Sequence, residues 1–293
     1  MPDRKRLPSW FKRSLEPCGT AAGTSAVLRR GGLHTVCEEA ACPNRNRCYS
    51  RRVATFLLMG DRCSRNCRFC NVRPAGAAPG RPDPEEPARV VAAAAELDLR
   101  YVVLTSVTRD DLPDGGAGHF AAVVRALRAA LPRCRVEVLT PDFQGDPGAL
   151  ATVLDAAPEV FNHNVETVPR RYSAVRPQAD YGRSLAVLQL AKEMAPDIIT
   201  KSGLMVGLGE TDEEVVAVLR DLRAHEVDVV TIGQYLRPTD EHLPVDRFVE
   251  PAVFAGWQTC GENELGFRHV AAGPYVRSSF QAEEVFTAST PGD

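Results

Sequence analysis

Six of the nine cysteines in this chain fall between Cys37 and Cys70, in two triplets. Cys63-Ser-Arg-Asn-Cys67-Arg-Phe-Cys70 has the spacing C-x3-C-x2-C. Cys37-Glu-Glu-Ala-Ala-Cys42-Pro-Asn-Arg-Asn-Arg-Cys48 has the spacing C-x4-C-x5-C. Closely spaced thiolates can each bind one iron of a cubane cluster, because soft sulfur ligands suit iron–sulfur chemistry. Three ligands for four irons leave one iron open to a further ligand. A structural zinc site is the alternative. Such sites are closed by four ligands, commonly in paired units, and after Cys70 no matching pair or histidine follows at the expected distance.

Composition supports reduced thiols. A disulfide framework suits a small secreted chain, whereas this one has 293 residues. Hydrophobic residues make up 44% and charged residues 25%, as in an ordinary soluble globular protein. A net charge of −3 leaves no basic footprint for nucleic acid. Charged residues break every apolar run well short of a bilayer span. Basic residues Arg4, Lys5, Arg6, Lys12 and Arg13 precede no apolar signal-peptide segment. No nucleic-acid or membrane partner and a cytoplasmic location are therefore expected.

The elements that must position these cysteines follow a β/α rhythm. Apolar strand-like runs cover residues 54–60, 101–106, 135–140, 160–166, 198–207 and 227–235. Their near-continuous hydrophobicity is that of strands covered on both faces. Helical spacing covers 85–98, 117–131, 148–156, 183–194 and 212–224, with a further stretch at 252–264. Thr211 and Glu214 form a capping-box pattern before the fifth of these. Six such units predict a parallel sheet, as a partial barrel or a doubly wound sheet, with ligands at the carboxyl ends of its strands. The first fifty residues lack this rhythm and read as an extension held by its own cysteines. Residues 75–87, rich in proline, read as a loop.

Alternation along the fourth strand puts Asn162, Asn164 and Glu166 on one face and Phe161, His163 and Val165 on the other. Asn164 and Glu166 then become candidates for holding a cofactor, and His163 a structural residue. Thr105 and Ser106, ending the second strand, and Lys201, within the fifth, occupy similar places. Gly203, Gly207 and Gly209 match neither phosphate-binding glycine motif and read as turn or close-approach residues. Asp110, Asp111 and Asp114 read as loop or cap residues. Cys18, Cys134 and Cys260 lie outside both triplets and read as ordinary thiols.

The second triplet is similar to the signature of the radical SAM superfamily. That resemblance implies a [4Fe–4S] cluster on Cys63, Cys67 and Cys70, its open iron chelated by S-adenosylmethionine. The cluster's electron would cleave the sulfonium to give a 5′-deoxyadenosyl radical. Phe69 stands at the aromatic position that would pack beside the adenine; a plain core phenylalanine is the alternative. With the first triplet fifteen residues upstream, the chain resembles the lipoyl synthase family over nearly its whole length. The likeness runs from Pro8-Ser-Trp-Phe-Lys, through Thr105-Ser-Val-Thr-Arg-Asp-Asp-Leu and Phe161-Asn-His-Asn-Val-Glu-Thr-Val, to Lys201-Ser-Gly-Leu-Met-Val-Gly-Leu-Gly-Glu and Val276-Arg-Ser-Ser.

The resemblance implies a second, auxiliary [4Fe–4S] cluster on Cys37, Cys42 and Cys48. Its fourth ligand would be Ser279, from an Arg-Ser-Ser-Tyr motif that here reads Arg277-Ser278-Ser279-Phe280. It implies insertion of two sulfur atoms at C6 and C8 of an octanoyl chain carried by a lipoyl carrier domain. That carrier would be a 2-oxoacid dehydrogenase E2 component or the glycine cleavage H protein, and ferredoxin or flavodoxin would supply low-potential electrons. The implied fold is a partial (β/α)6 TIM-type barrel. Residues 1–52 would form the cluster-binding extension, 53–264 the core, and 265–293 a C-terminal segment supplying the serine.

Overall fold

The computed structural model describes residues 6–12, 19–76, 79–279 and 282–289. The positions of Arg4, Lys5, Arg13, Cys18 and Phe280 lie outside the described residues. In chain order, α1 is Gly19–Arg30, β1 His34–Thr35, α2 Val36–Glu39, α3 Arg45–Ser50 and β2 Thr55–Leu58. Short strands β3 (Arg62–Cys63) and β4 (Arg73–Pro74) precede α4 (Glu86–Glu96). Then come β5 (Tyr101–Ser106), α5 (Ala117–Ala130), β6 (Arg135–Leu139), α6 (Pro147–Leu154) and β7 (Val160–Asn162). A four-residue α7 (Tyr172–Val175) leads to α8 (Tyr181–Met194), β8 (Ile199–Val206), α9 (Asp212–Ala224) and β9 (Val229–Gln234). The chain ends with α10 (Pro251–Thr259), β10 (His269–Gly273) and α11 (Ala282–Ser289).

The main sheet runs β1-β2-β5-β6-β7-β8-β9-β10, in strict sequence order. A doubly wound sheet reverses direction at a switch point; this one does not, which selects the open, partial barrel. All pairings are parallel except β1 with β2, which is antiparallel. β10 adds a parallel strand beyond the six expected, contributed by the C-terminal segment.

Side-chain parity divides the sheet into two environments. Val102, Leu104, Val136, Val138 and Phe161 are fully buried in the principal core with the helices. The opposite parity brings Tyr101, Val103, Val160, Ile199 and Val229 together inside the barrel, against Ala282 and Phe286 of α11. The Phe286 ring lies 5.8 Å from that of Tyr101, and the Arg135 guanidinium sits 4.6 Å from its centroid. The C-terminal helix thus seals one end of the barrel.

Local chemistry fixes the helix ends. Thr211 and Glu214 form the expected capping box on α9. Asp146 accepts from Gly148 N before α6, whose first residue is Pro147, and Asp180 accepts from Arg183 N before α8. Such caps are worth about 1 kcal/mol each. Gly207 sits at φ +94°, and a Cβ there would meet Gln234 Nε2 at 2.1 Å. The turn after β8 therefore requires glycine.

Candidate active site

The second triplet lies beyond the carboxyl end of β2, as expected for a parallel barrel. Cys63 Sγ accepts from the backbone N–H groups of Arg65 at 3.4 Å and Thr108 at 3.3 Å, and Cys70 N bonds to Cys67 O. Between the first two cysteines, Arg65 is 5% exposed and turns inward. Its guanidinium holds Asp110 at 2.7 and 2.9 Å and Asp142 at 2.6 and 3.0 Å. One arginine thereby ties the cysteine loop to the residues following β5 and β6. Burial opposes the charge on Asp142, but the hydrogen bonds and charge of Arg65 outweigh it and hold the carboxyl down at about 2.

The first triplet sits at the other end of β2. Thr35 caps α2, which carries Cys37; Cys48 lies on α3 and Cys42 between the two helices. Cys37, Cys42 and Cys48 line one cavity with Asn44, Val53, Ala54, Thr55, Arg277 and Ser279. Thr55 Oγ1 donates to Ser279 Oγ at 2.9 Å. Burial pushes the Cys37 thiol up to about 12, partly offset by a hydrogen bond from the Thr55 backbone. Burial likewise raises Cys70 to about 12 and Cys67 to about 11, the latter against the positive charge of Arg176. Thiols so placed ionise readily only when a metal takes the proton's place.

The donor sets fit clusters better than single ions. Zinc–sulfur bonds of about 2.3 Å bring tetrahedral sulfurs to within about 4 Å of one another. Among the described residues, the one group of three His, Cys, Asp or Glu ligand atoms within 4.8 Å of each other is His34, Glu39 and Asp61. Neither triplet is gathered that tightly. At the first triplet the three thiols share their cavity with the Ser279 hydroxyl.

The residues expected near S-adenosylmethionine do not all fall together. Asn164 and Glu166 come together, with Asn164 Nδ2 donating to Glu166 Oε1 at 3.1 Å. Glu166 is close enough to Cys67 and Cys70 to raise both thiols, and its own carboxyl is raised by burial. Phe69 packs with Met205 against Val175, Leu208 and Tyr235, partly buried beside the same loop. Thr105 has the inward parity and donates to Leu139 O, while Ser106 has the opposite parity and a buried hydroxyl with no hydrogen-bond partner. Lys201 is 2% exposed, and its ammonium is held by Glu137 at 2.9 and 3.2 Å. It sits in register with Asn162, inside the barrel wall.

Four residues were not singled out from sequence. Arg65 and Thr55 are described above. Arg176 is 7% exposed, bonds to Asn164 O at 2.8 Å and keeps a buried Nε without a partner. Ser278 accepts from Asn162 at 2.9 Å and donates to Asn164 at 2.8 Å. Only Ser278 carried a local signal, its adjacency to Ser279. His163 is structural, as expected: Nδ1–H donates to Thr140 O at 2.8 Å, leaving Nε2 for Ser184 Oγ.

This geometry, a parallel partial barrel with a three-cysteine loop at its mouth, is that of a radical SAM enzyme, and the family model "Radical SAM superfamily" matches residues 57–222. Solved structures of the same fold include methylornithine synthase, at a TM-score of 0.56 and 16% identity, covering 86% of this chain and 70% of that one. HydG, a maturase of the [FeFe]-hydrogenase, matches at 0.58 and 17%, covering 92% and 66%. Curated relatives narrow the family. A lipoyl synthase of Rubrobacter xylanophilus is 54% identical over 96% of this chain and 87% of its own length. Those of Caldanaerobacter subterraneus and Thermus thermophilus are 56% and 52% identical, over 95% and 99% of this chain and 96% and 89% of their own. The chain belongs to the lipoyl synthase family. Among the described residues, no helix is long and apolar enough to cross a membrane.

Proposed function

We propose that Cys63, Cys67 and Cys70 hold the cluster that works on S-adenosylmethionine, and that Cys37, Cys42, Cys48 and Ser279 hold the auxiliary cluster. The observation that carries this reading is the convergence of Ser279 on the cavity of the first triplet. When bound, the two [4Fe–4S] clusters and S-adenosylmethionine supply the radical and the sulfur for insertion at C6 and C8 of an octanoyl chain.

The chain's own residues bind and orient. Glu166 and Asn164 offer a carboxylate and an amide to hydroxyl or ammonium groups. Arg176, beside Cys67 with an unpartnered Nε, offers a cation to a carboxylate. Phe69 presents an aromatic face on the same loop, and Thr105 a hydroxyl at the end of β5. Arg65 keeps the cysteine loop seated on its two aspartates. Lys201, neutralised by Glu137, contributes to the polar wall between the two sites rather than a free charge.

The substrate we infer is an octanoyl chain on the lysine of a lipoyl carrier domain, either a 2-oxoacid dehydrogenase E2 component or the glycine cleavage H protein. Such a chain is long enough to enter a barrel from a carrier held outside it. Electrons would come from a low-potential ferredoxin or flavodoxin.

Iron and acid-labile sulfide per chain, after anaerobic purification, test the reading. Alanine at Cys63, Cys67 and Cys70 should lower iron from about eight atoms to about four, the content of one cubane. Zinc in place of iron would overturn it.

A further inference from the structure

The serine assigned to the auxiliary cluster does not reach its place unaided. Around it, the C-terminal segment is fastened at successive points. Asn44 Nδ2 donates to Tyr275 O at 2.8 Å, and the Tyr275 hydroxyl donates to Phe11 O at 2.6 Å. The Val276 carbonyl then passes over Gly233 so closely that a Cβ there would lie 2.1 Å from its oxygen. Ser278 is wedged between Asn162 and Asn164, and Ser279 meets Thr55.

The Ser278 contact differs from the others in what lies behind it. Asn162 also donates to Glu137 at 2.9 Å, and Glu137 holds both Lys201 and the Tyr101 hydroxyl. Glu137 and Asn162 are fully buried, so their positions are fixed by the barrel wall. On the other side, Asn164 donates to Glu166, which lies beside the second triplet. One hydroxyl thus joins a rigid buried ion pair, the group expected to hold S-adenosylmethionine, and the backbone of the serine ligand.

We propose that Ser278 is a positioning residue that holds Ser279 at the fourth ligand place of the auxiliary cluster through its paired bonds to Asn162 and Asn164. The inference rests on the cluster assignment made above. Its chemistry is local. A serine carries one donor and can accept in turn, and here both capacities are used on side chains fixed by strands. With Ser278 removed, the Tyr275 and Val276 contacts remain, and among the described residues the Ser279 hydroxyl is left with its bond to Thr55.

The test uses the full chain with alanine at Cys63, Cys67 and Cys70, so that iron resides at the first triplet alone. Ser278→Ala in that background should bind as much iron as its parent but release it to a ferrous chelator about tenfold faster, the scale set by losing one to two hydrogen bonds. Its reduced-cluster electron paramagnetic resonance spectrum should change on adding 2-mercaptoethanol, which binds only where a ligand place is open. Ser279→Ala should behave the same way, and Ser278→Thr, which keeps the hydroxyl, should stay close to the parent. If Ser279→Ala is labile and thiol-responsive while Ser278→Ala matches the parent, the inference fails and the ligand assignment stands. If neither variant differs from the parent, Ser279 is not a ligand and both readings fall. A parent that binds no iron overturns both at once. A Ser278→Ala chain that melts earlier yet shows no thiol response has lost only stability, and this too overturns the proposal.

Discussion

Thr55 and Ser279 stand 224 positions apart in the chain, yet the threonine hydroxyl donates to the serine hydroxyl at 2.9 Å. Thr55 is the first residue of β2, and its backbone also bonds the Cys37 thiol. A single strand residue therefore touches a ligand candidate from each end of the chain.

The hardness of that serine leads to the first prediction. Oxygen is a poorer match than thiolate for an iron–sulfur cluster and is more easily lost. Ser279→Cys should keep the iron content of the native chain but yield no thiolated product from an octanoylated carrier. Product at the native level would show that easy release of this ligand is not needed.

Gly233 supplies the second. Its missing Cβ is what lets the Val276 carbonyl pass. Gly233→Val should push the 275–279 segment away and open the first-triplet site, with the second triplet untouched. Iron retention after exposure to a chelator should fall to about half, one cubane of two.

Arg65 supplies the third. Removing one member of a buried charged network is costly, about 3–5 kcal/mol. Arg65→Met should lower the urea midpoint accordingly and reduce iron at Cys63, Cys67 and Cys70. Arg65→Lys should recover only part of the loss, because an ammonium cannot present a fork to two carboxylates. Equal recovery by lysine would mean that charge alone seats the loop.

The fourth concerns acid. Burial holds the His163 imidazole down at about 4, against an ordinary value of 6.5, so the folded chain keeps it neutral while the unfolded chain protonates it. Stability contributed in this way is present above pH 6.5 and is lost as the pH falls toward 4. The full loss corresponds to about 3 kcal/mol. Urea titrations at pH 7 and pH 4.5 should show this slope, and His163→Gln should flatten it.

The six core strands and their helices were legible because a parallel sheet covered on both faces writes near-continuous apolar runs. Residues 101–106 and 212–224 match β5 and α9 to the residue. The run at 160–166 does not persist as a strand: β7 stops at Asn162, and Glu166 takes a left-handed φ of +65° that bends the chain back to bridge Leu204. Helical spacing at 252–264 ends earlier, since α10 stops at Thr259 and a wider π turn follows over Cys260–Leu265. β10, read only as part of a C-terminal segment, is short and small-residued, His269-Val-Ala-Ala-Gly, and owes its conformation to β9.

The site was legible where its residues are close in sequence. The second cysteine triplet declares itself by spacing and the first by its place before it. Asn162, Asn164 and Glu166 do lie together, but through Ser278 and an Asn164–Glu166 bond and not as one face of a continuous strand. The Lys201–Glu137 pair does not, because the partners lie 64 positions apart on strands joined only by the fold. Arg176 gave no signal for the same reason: it acquires its role only when α7 brings it back against Asn164 and Cys67.

The division of the first-triplet cavity between the two ends of the chain also sets an order of events during synthesis. A ribosome adding roughly 5–20 residues per second delivers Cys37, Cys42 and Cys48 well before Ser279. Until the late residues emerge, the cavity has three thiols and no lid, and the inner faces of β5, β7 and β9 lack the Phe286 plug. On the ligand assignment proposed above, a nascent chain loaded with iron at that stage would still lack its fourth ligand. On that assignment the site closes only after the last part of the chain has been made and folded back onto the first.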